Sequence, residues 1–159
     1  MKLKLTVLLI GLSLNTFAAN QCDRMTTEPK ISAWAFEAMM AIHNYNFVNY
    51  KQIQDKASVY FTRSAWDTYK KTYEESKTQD IVIAKKLVSS AGLYGSPLFL
   101  GQGNNKWQVQ VPLIVIYQSS SEHEEFREVV NLTIIKDPSV PDCLKITKMV
   151  SKPATKNNS

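Results

Sequence analysis

Only two cysteines and two histidines occur in the 159 residues, so the residue types that carry most nucleophilic, metal and acid–base chemistry are quickly enumerated. Cys22 and Cys143 can form one disulfide closing a loop of about 120 residues, which on the chain-entropy estimate adds roughly 4 to 5 kcal/mol. The alternatives are two unpaired thiols, or one thiol paired to another chain. The internal bridge is preferred if the protein is exported, because an oxidising compartment leaves an even pair no reason to stay reduced. His43 lies in a helical stretch and His123 in an acidic turn with Glu122, Glu124, Glu125 and Glu128. That turn is the best metal candidate, yet adjacent residues of an extended turn point apart and match no fixed ligand spacing, so no metal is assigned. No convergent acid and base is found among Asp23, Asp55, Asp67, His43 and His123, so no catalytic residue is assigned. Gly101-x-Gly103 lacks a third glycine and sits between strands, where it reads as a hairpin and not a phosphate cradle. No cofactor is implied.

The net charge of +5 belongs to the two ends: Lys2 and Lys4 at the start, and Lys145, Lys148, Lys152 and Lys156 after Cys143. The middle is close to balanced, which argues against a nucleic-acid binder. Tyr69-Lys70-Lys71-Thr72-Tyr73 resembles a base-stacking platform, but its tyrosines share a helix face with Trp66 and read as core. The tail lysines allow a weak contact with an anionic membrane surface and no more.

Lys2 and Lys4 precede an apolar run, Leu5 to Leu14, and the small-residue exit Asn15-Thr16-Phe17-Ala18-Ala19. The run is too short to span a bilayer, so residues 1–18 read as a secretory signal peptide cleaved after Ala18, or alternatively after Ala19. Cys22 as a lipid anchor is disfavoured by the polar Asn20-Gln21 before it. No integral span then remains, and the protein is expected in the periplasm, with release from the cell as an alternative.

The chemistry-bearing residues are positioned by a helical half followed by a strand half. Thr26-Thr27-Glu28-Pro29 is a helix start. Ile31, Trp34, Ala35, Ala38, Met39, Ile42 and Tyr45 follow at offsets of three and four, one apolar stripe. A second helix is expected over Tyr50 to Tyr60, and a third after Thr62 with Ala65, Trp66, Tyr69 and Tyr73 inward. From Ile81 the branched residues Ile81-Val82-Ile83 and Leu87-Val88 predict strand. Pro97 to Leu100 is a second short run, and Gly101 to Asn105 is a turn. Trp107, Val109, Val111, Leu113, Val115 and Tyr117 occupy alternate places, as do Phe126, Glu128, Val130, Leu132 and Ile134. Leu144 to Val150 is the last strand. Helices and strands that do not alternate imply an α+β fold, with N-terminal helices packed on a curved antiparallel sheet of about four strands. Residues 19–150 then form a single domain, and residues 151–159 read as an unstructured polar tail.

Particular words of the sequence resemble a known family. Tyr45-Asn46-Phe47-Val48-Asn49-Tyr50, Tyr60-Phe61-Thr62 with Trp66, Ala84 to Ala91 with Gly95 and Pro97, and Lys106-Trp107-Gln108-Val109-Gln110-Val111-Pro112-Leu113 running to Tyr117-Gln118-Ser119 closely resemble the IcmL/DotI family. Its members are components of the Dot/Icm type IVB secretion apparatus and are related to a conjugation protein. The resemblance covers roughly residues 30–150. It implies a nuclear-transport-factor-2-like cone, as in the periplasmic domains of type IV secretion scaffold proteins. It also implies a non-enzymatic role in virulence-associated secretion, with secretion-system subunits or further copies of the chain as partners. Where the family shows Thr-Pro-Glu-Gly-Trp, this chain has Thr62-Arg63-Ser64-Ala65-Trp66, a helix start that keeps Trp66. The short leader in place of an anchor points to a soluble, exported paralogue. The exposed strand edge and the open end of the cone are the expected contact surfaces, with Tyr94, Phe99, Trp107 and Tyr117 as their rim, the alternative being that Trp107 and Tyr117 are core, and with Trp34, Trp66 and Tyr60 as core. Two other readings remain: a cone that binds a small molecule or hydrolyses one, and a factor released toward a host.

Overall fold

A computed structural model describes residues 22–154. The expected signal peptide, with its cleavage positions Ala18 and Ala19, and the expected tail beyond Ala154 lie outside the described residues. Residues 22–25 are helical, followed by α1 (Glu28–His43), β1 (Tyr45–Asn46), α2 (Tyr50–Ala57), a 3-10 turn (Ser58–Tyr60), α3 (Arg63–Glu75) and α4 (Thr78–Ala84). The strand half is β2 (Val88–Leu93), β3 (Leu98–Gly103), β4 (Lys106–Gln118), β5 (His123–Lys136) and β6 (Leu144–Pro153). All strands join one antiparallel sheet in the order β1-β2-β4-β5-β6, with β3 also paired to β4. The sheet curls around α1, giving the helix-filled half-barrel that was expected.

The apolar stripe of α1 is the axis of the core. Ile31, Ala35, Ala38, Met39 and Ile42 are fully buried and Trp34 nearly so. They pack on the inner face of β4, where Trp107, Val109, Val111, Leu113 and Val115 alternate, and of β5, where Val130, Leu132 and Ile134 do the same. Two periods therefore meet: 3.6 residues on the helix and 2 on the strands. Pro29 in the first turn fits a helix start, but Thr27 supplies only its backbone carbonyl, to Ile31 N–H at 2.9 Å. Thr62 does cap α3 with its hydroxyl, which accepts from Ala65 N–H. Trp66 and Tyr60, expected in the core outright, are half-buried and pack against it from its edge.

Three expectations are corrected. Ile81-Val82-Ile83 is not strand: residues Thr78–Ala84 form a short helix that buries Val82 and leaves Ile81 and Ile83 exposed. Local propensity is overridden because Val82 and Leu87 close a second small core with Tyr45. The helix is stopped by a Schellman closure, in which Leu87 N–H bonds Val82 C=O and Lys86 N–H bonds Ile83 C=O, with Lys86 at φ 52°. The long helix ends at His43, and Tyr45 passes into β1, opposite Ser89. Residues Ser151, Lys152 and Pro153, assigned to the tail, extend β6 and pair with Val130, Val129 and Glu128.

The turn expected over Gly101–Asn105 narrows to Asn104-Asn105, both left-handed (φ 50° and 57°), as a two-residue hairpin requires. Gly101, at φ 153°, follows a bulge at Leu100. The strands β2 and β3 share one edge of β4, β2 along Leu113–Gln118 and β3 along Lys106–Gln110. Pro112 sits at the changeover. Its carbonyl accepts from Tyr94 N–H at 3.2 Å. A residue's N–H and C=O leave a strand on the same side, so the proline's missing donor faces the gap and breaks no ladder bond.

Cys22 and Cys143 form a disulfide with 5.3 Å between their Cα atoms. It ties the start of the domain to the loop before β6, and both cysteines are buried. An ion pair, Lys136 Nζ to Asp23 Oδ1 at 2.6 Å, joins the start of the domain to the end of β5.

Candidate functional site

The pleat of the sheet decides where each expected rim residue goes. Trp107 and Tyr117 lie on the same inner face of β4, ten residues apart, and therefore about 33 Å apart along the strand. Trp107 is 2% exposed and belongs to the main core, which corrects its assignment to a contact rim. Its even-period position beside Val109 and Val111 places it under the helices. Phe99, opposite Val109 on β3, is half-buried against the same core. Tyr94 is exposed on the outer face, where the Arg127 guanidinium lies 5.9 Å from its ring centroid. Tyr117 is half-buried at the wide end and meets Phe126 edge-on, with centroids 5.9 Å apart. The four residues thus do not form one rim. Exposed along β2 and β3 are Tyr94, Leu98 and Leu100, the latter two more than half exposed, together with Val88 and Leu93.

The wide end of the cone holds a feature the sequence reading missed. His43, the last residue of α1, brings its Nε2 to 3.7 Å from Glu128 Oε1 on β5. The other carboxylate oxygen of Glu128 accepts from the Ser151 hydroxyl of β6. Glu128 takes part in the inward alternation of Phe126, Val130 and Leu132, so the pleat turns a carboxylate toward the core. That position within an apolar register was the available signal. The acidic turn itself is dismantled by the same pleat: Glu124 and Glu128 face inward, whereas Glu125 pairs with Arg127 on the outer side and Glu122 with Lys85 at 2.8 Å.

Around this pair the polar groups are tyrosines. Phe61, Tyr69 and Tyr73 form a stacked ladder, and the Tyr73 hydroxyl donates to that of Tyr45 at 3.0 Å. Burial raises the pKa of Tyr45, Tyr69 and Tyr117, and pushes that of Tyr73 up to about 12, so all four remain neutral donors. Burial also lowers the His43 pKa, partly opposed by the Glu128 charge. Its Nε2 is sealed from solvent without a hydrogen-bond partner. The imidazole is therefore neutral at pH 7 and leaves the Glu128 charge uncompensated.

In front of Glu128 opens a cavity of about 360 Å³ walled by α4 and the sheet, with Val82, Leu87, Val115, Tyr117 and Phe126 among its lining. A second groove, about 500 Å³, runs between α3 and β6 and meets the first at Glu128 and Ser151. Among the described residues no three His, Cys, Asp or Glu side chains gather as a metal site, and no helix is long and apolar enough to cross a membrane.

Comparison with known proteins places this architecture. A family model described as a type IVb secretion system inner-membrane complex component matches residues 22–153. The periplasmic domain of DotI superposes with a TM-score of 0.78 at 35% identity, covering 82% of this chain and 98% of that one. An IcmL-like type IV secretion system protein from Legionella pneumophila gives 0.77 at 22% identity, with 84% and 97% coverage. A periplasmic fragment of TraM gives 0.75 at 22% identity, with 82% and 100% coverage. No curated protein sequence matches the chain.

Proposed function

Because the chain belongs to the DotI/IcmL family of type IVb secretion inner-membrane complex components, we propose that it is a periplasmic, non-enzymatic scaffold module that works by binding other protein domains. The observation that carries this reading is the match to the DotI periplasmic domain, which spans 98% of that domain at 35% identity. The buried disulfide suits an oxidising compartment. Delivery by a leader cleaved at Ala18 or Ala19 would place it where its partners are secretion-system subunits or further copies of itself. The contact surface is the β2–β3 edge, where Tyr94, Leu98 and Leu100 stand exposed beside backbone groups that lack a strand neighbour.

The test is affinity capture of type IVb subunits from detergent-solubilised envelopes, using the oxidised protein as bait. Wild type is expected to retain such subunits. The double variant Leu98→Glu, Leu100→Glu is expected to lose at least about tenfold, since two apolar anchors worth over 1 kcal/mol each are replaced by desolvation costs. Both side chains already face solvent, so the fold is expected to survive. Equal capture by variant and wild type would reject the edge as the contact surface.

A further inference from the structure

We propose that the mouth of the cone is a binding site for a small amphiphilic cation, an alkyl- or arylammonium whose apolar body fills the 360 Å³ cavity and whose charged head is taken by Glu128. The size is right for a compact ligand. Val82, Leu87 and Val115 supply buried apolar wall, and Tyr117 and Phe126 supply aromatic faces that favour a cation over an anion.

The sign of the ligand follows from the charges that face the space. Glu128 lines both the cavity and the adjoining groove, and Glu124 stands at the lip. Arg127 is the single base lining the cavity, Lys148 lining only the adjoining groove, and the Arg127 guanidinium is engaged outside the cone, with Glu125 at 3.3 Å and over the Tyr94 ring. His43, the other candidate to neutralise Glu128, is kept uncharged by burial. Glu128 accepts one hydrogen bond, from Ser151, and retains acceptor capacity toward the cavity. A carboxylate among apolar walls is costly when a neutral ligand displaces its water, repels an anion, and is compensated by an ammonium donor.

Titration of the oxidised protein, followed by amide chemical shifts, with hexylammonium, hexanol and hexanoate tests this directly. Hexylammonium is expected to perturb Val82, Leu87, Phe126 and Glu128, and to bind about tenfold or more tightly than hexanol, the size of a charge-assisted hydrogen bond. Glu128→Gln should abolish that preference, and Glu125→Gln on the outer face should keep it. Hexanoate binding as well as hexylammonium, shifts confined to other regions, or no binding by hexylammonium would each overturn the proposal. The comparison of the three probes on wild type decides the matter even if Glu128→Gln fails to fold.

Discussion

At the scale of single residues, the pairing of His43 with Glu128 links the fold to acidity. In an unfolded chain the imidazole takes up a proton near pH 6.5, whereas in the fold its pKa is lower, chiefly through burial and despite the Glu128 charge. Below pH 6.5 the unfolded state therefore binds more protons than the native one. Stability from this residue is full above that pH and declines as pH falls, until the buried imidazole protonates as well. The slope is at most about 1.4 kcal/mol per pH unit. Urea unfolding at pH 7.5, 6.5 and 5.5 is expected to show this decline in wild type and a flatter profile in His43→Gln. An identical slope in both proteins would mean that the imidazole does not carry the effect. The pair could not be read from the sequence because its members are 85 positions apart and meet only through the curl of the sheet. One half of it was legible: Glu128 in an otherwise apolar alternation.

Among the secondary-structure elements, those with a single strong period were legible and those held by tertiary contact were not. The α1 stripe and the β4 alternation, both without competing signals, are buried along their length as expected. The misread element is α4, where three branched residues in a row mimic a strand. Its ends are written instead in backbone conformation, Lys77 at φ 58° and Lys86 at φ 52°, and lysine gives no hint of either. A left-handed lysine costs about 1 kcal/mol or more relative to glycine. Lys86→Gly, which keeps the Schellman closure and removes the Cβ clash, is expected to stabilise the protein by about 0.5 to 1 kcal/mol. Chemical denaturation at constant m-value measures it. A loss of stability would mean that the Lys86 side chain is held by contacts that outweigh its strain. Trp107 teaches the converse lesson. An aromatic residue beside a polar turn looks like a rim, but strand parity alone assigned it to the interior with Val109 and Val111.

For the whole molecule, the disulfide is the only cysteine cross-link among the described residues, and it joins the helical start to the residue before the last strand. With a sequence separation of 121 between its cysteines, its chain-entropy contribution is on the order of 4 to 5 kcal/mol. The double variant Cys22→Ala, Cys143→Ala is expected to lose most of that in guanidinium unfolding, and dithiothreitol treatment of wild type should give the same midpoint. A reduced protein as stable as the oxidised one would show that packing of residues 22–25 suffices. The pairing itself was legible from an even cysteine count together with the expectation of export. Its geometric role, pinning the region before α1 beside Lys136, needed the sheet.

The same connection orders events in time. A chain that crosses a membrane with its N-terminus foremost delivers Cys22 long before Cys143, and β6 is the final strand to arrive. Until then the first thiol has no correct mate and is open to capture by a neighbour or an oxidase. In an exported chain, closure of the ring thus reports that β1 to β5 have been delivered, because Cys143 immediately precedes β6.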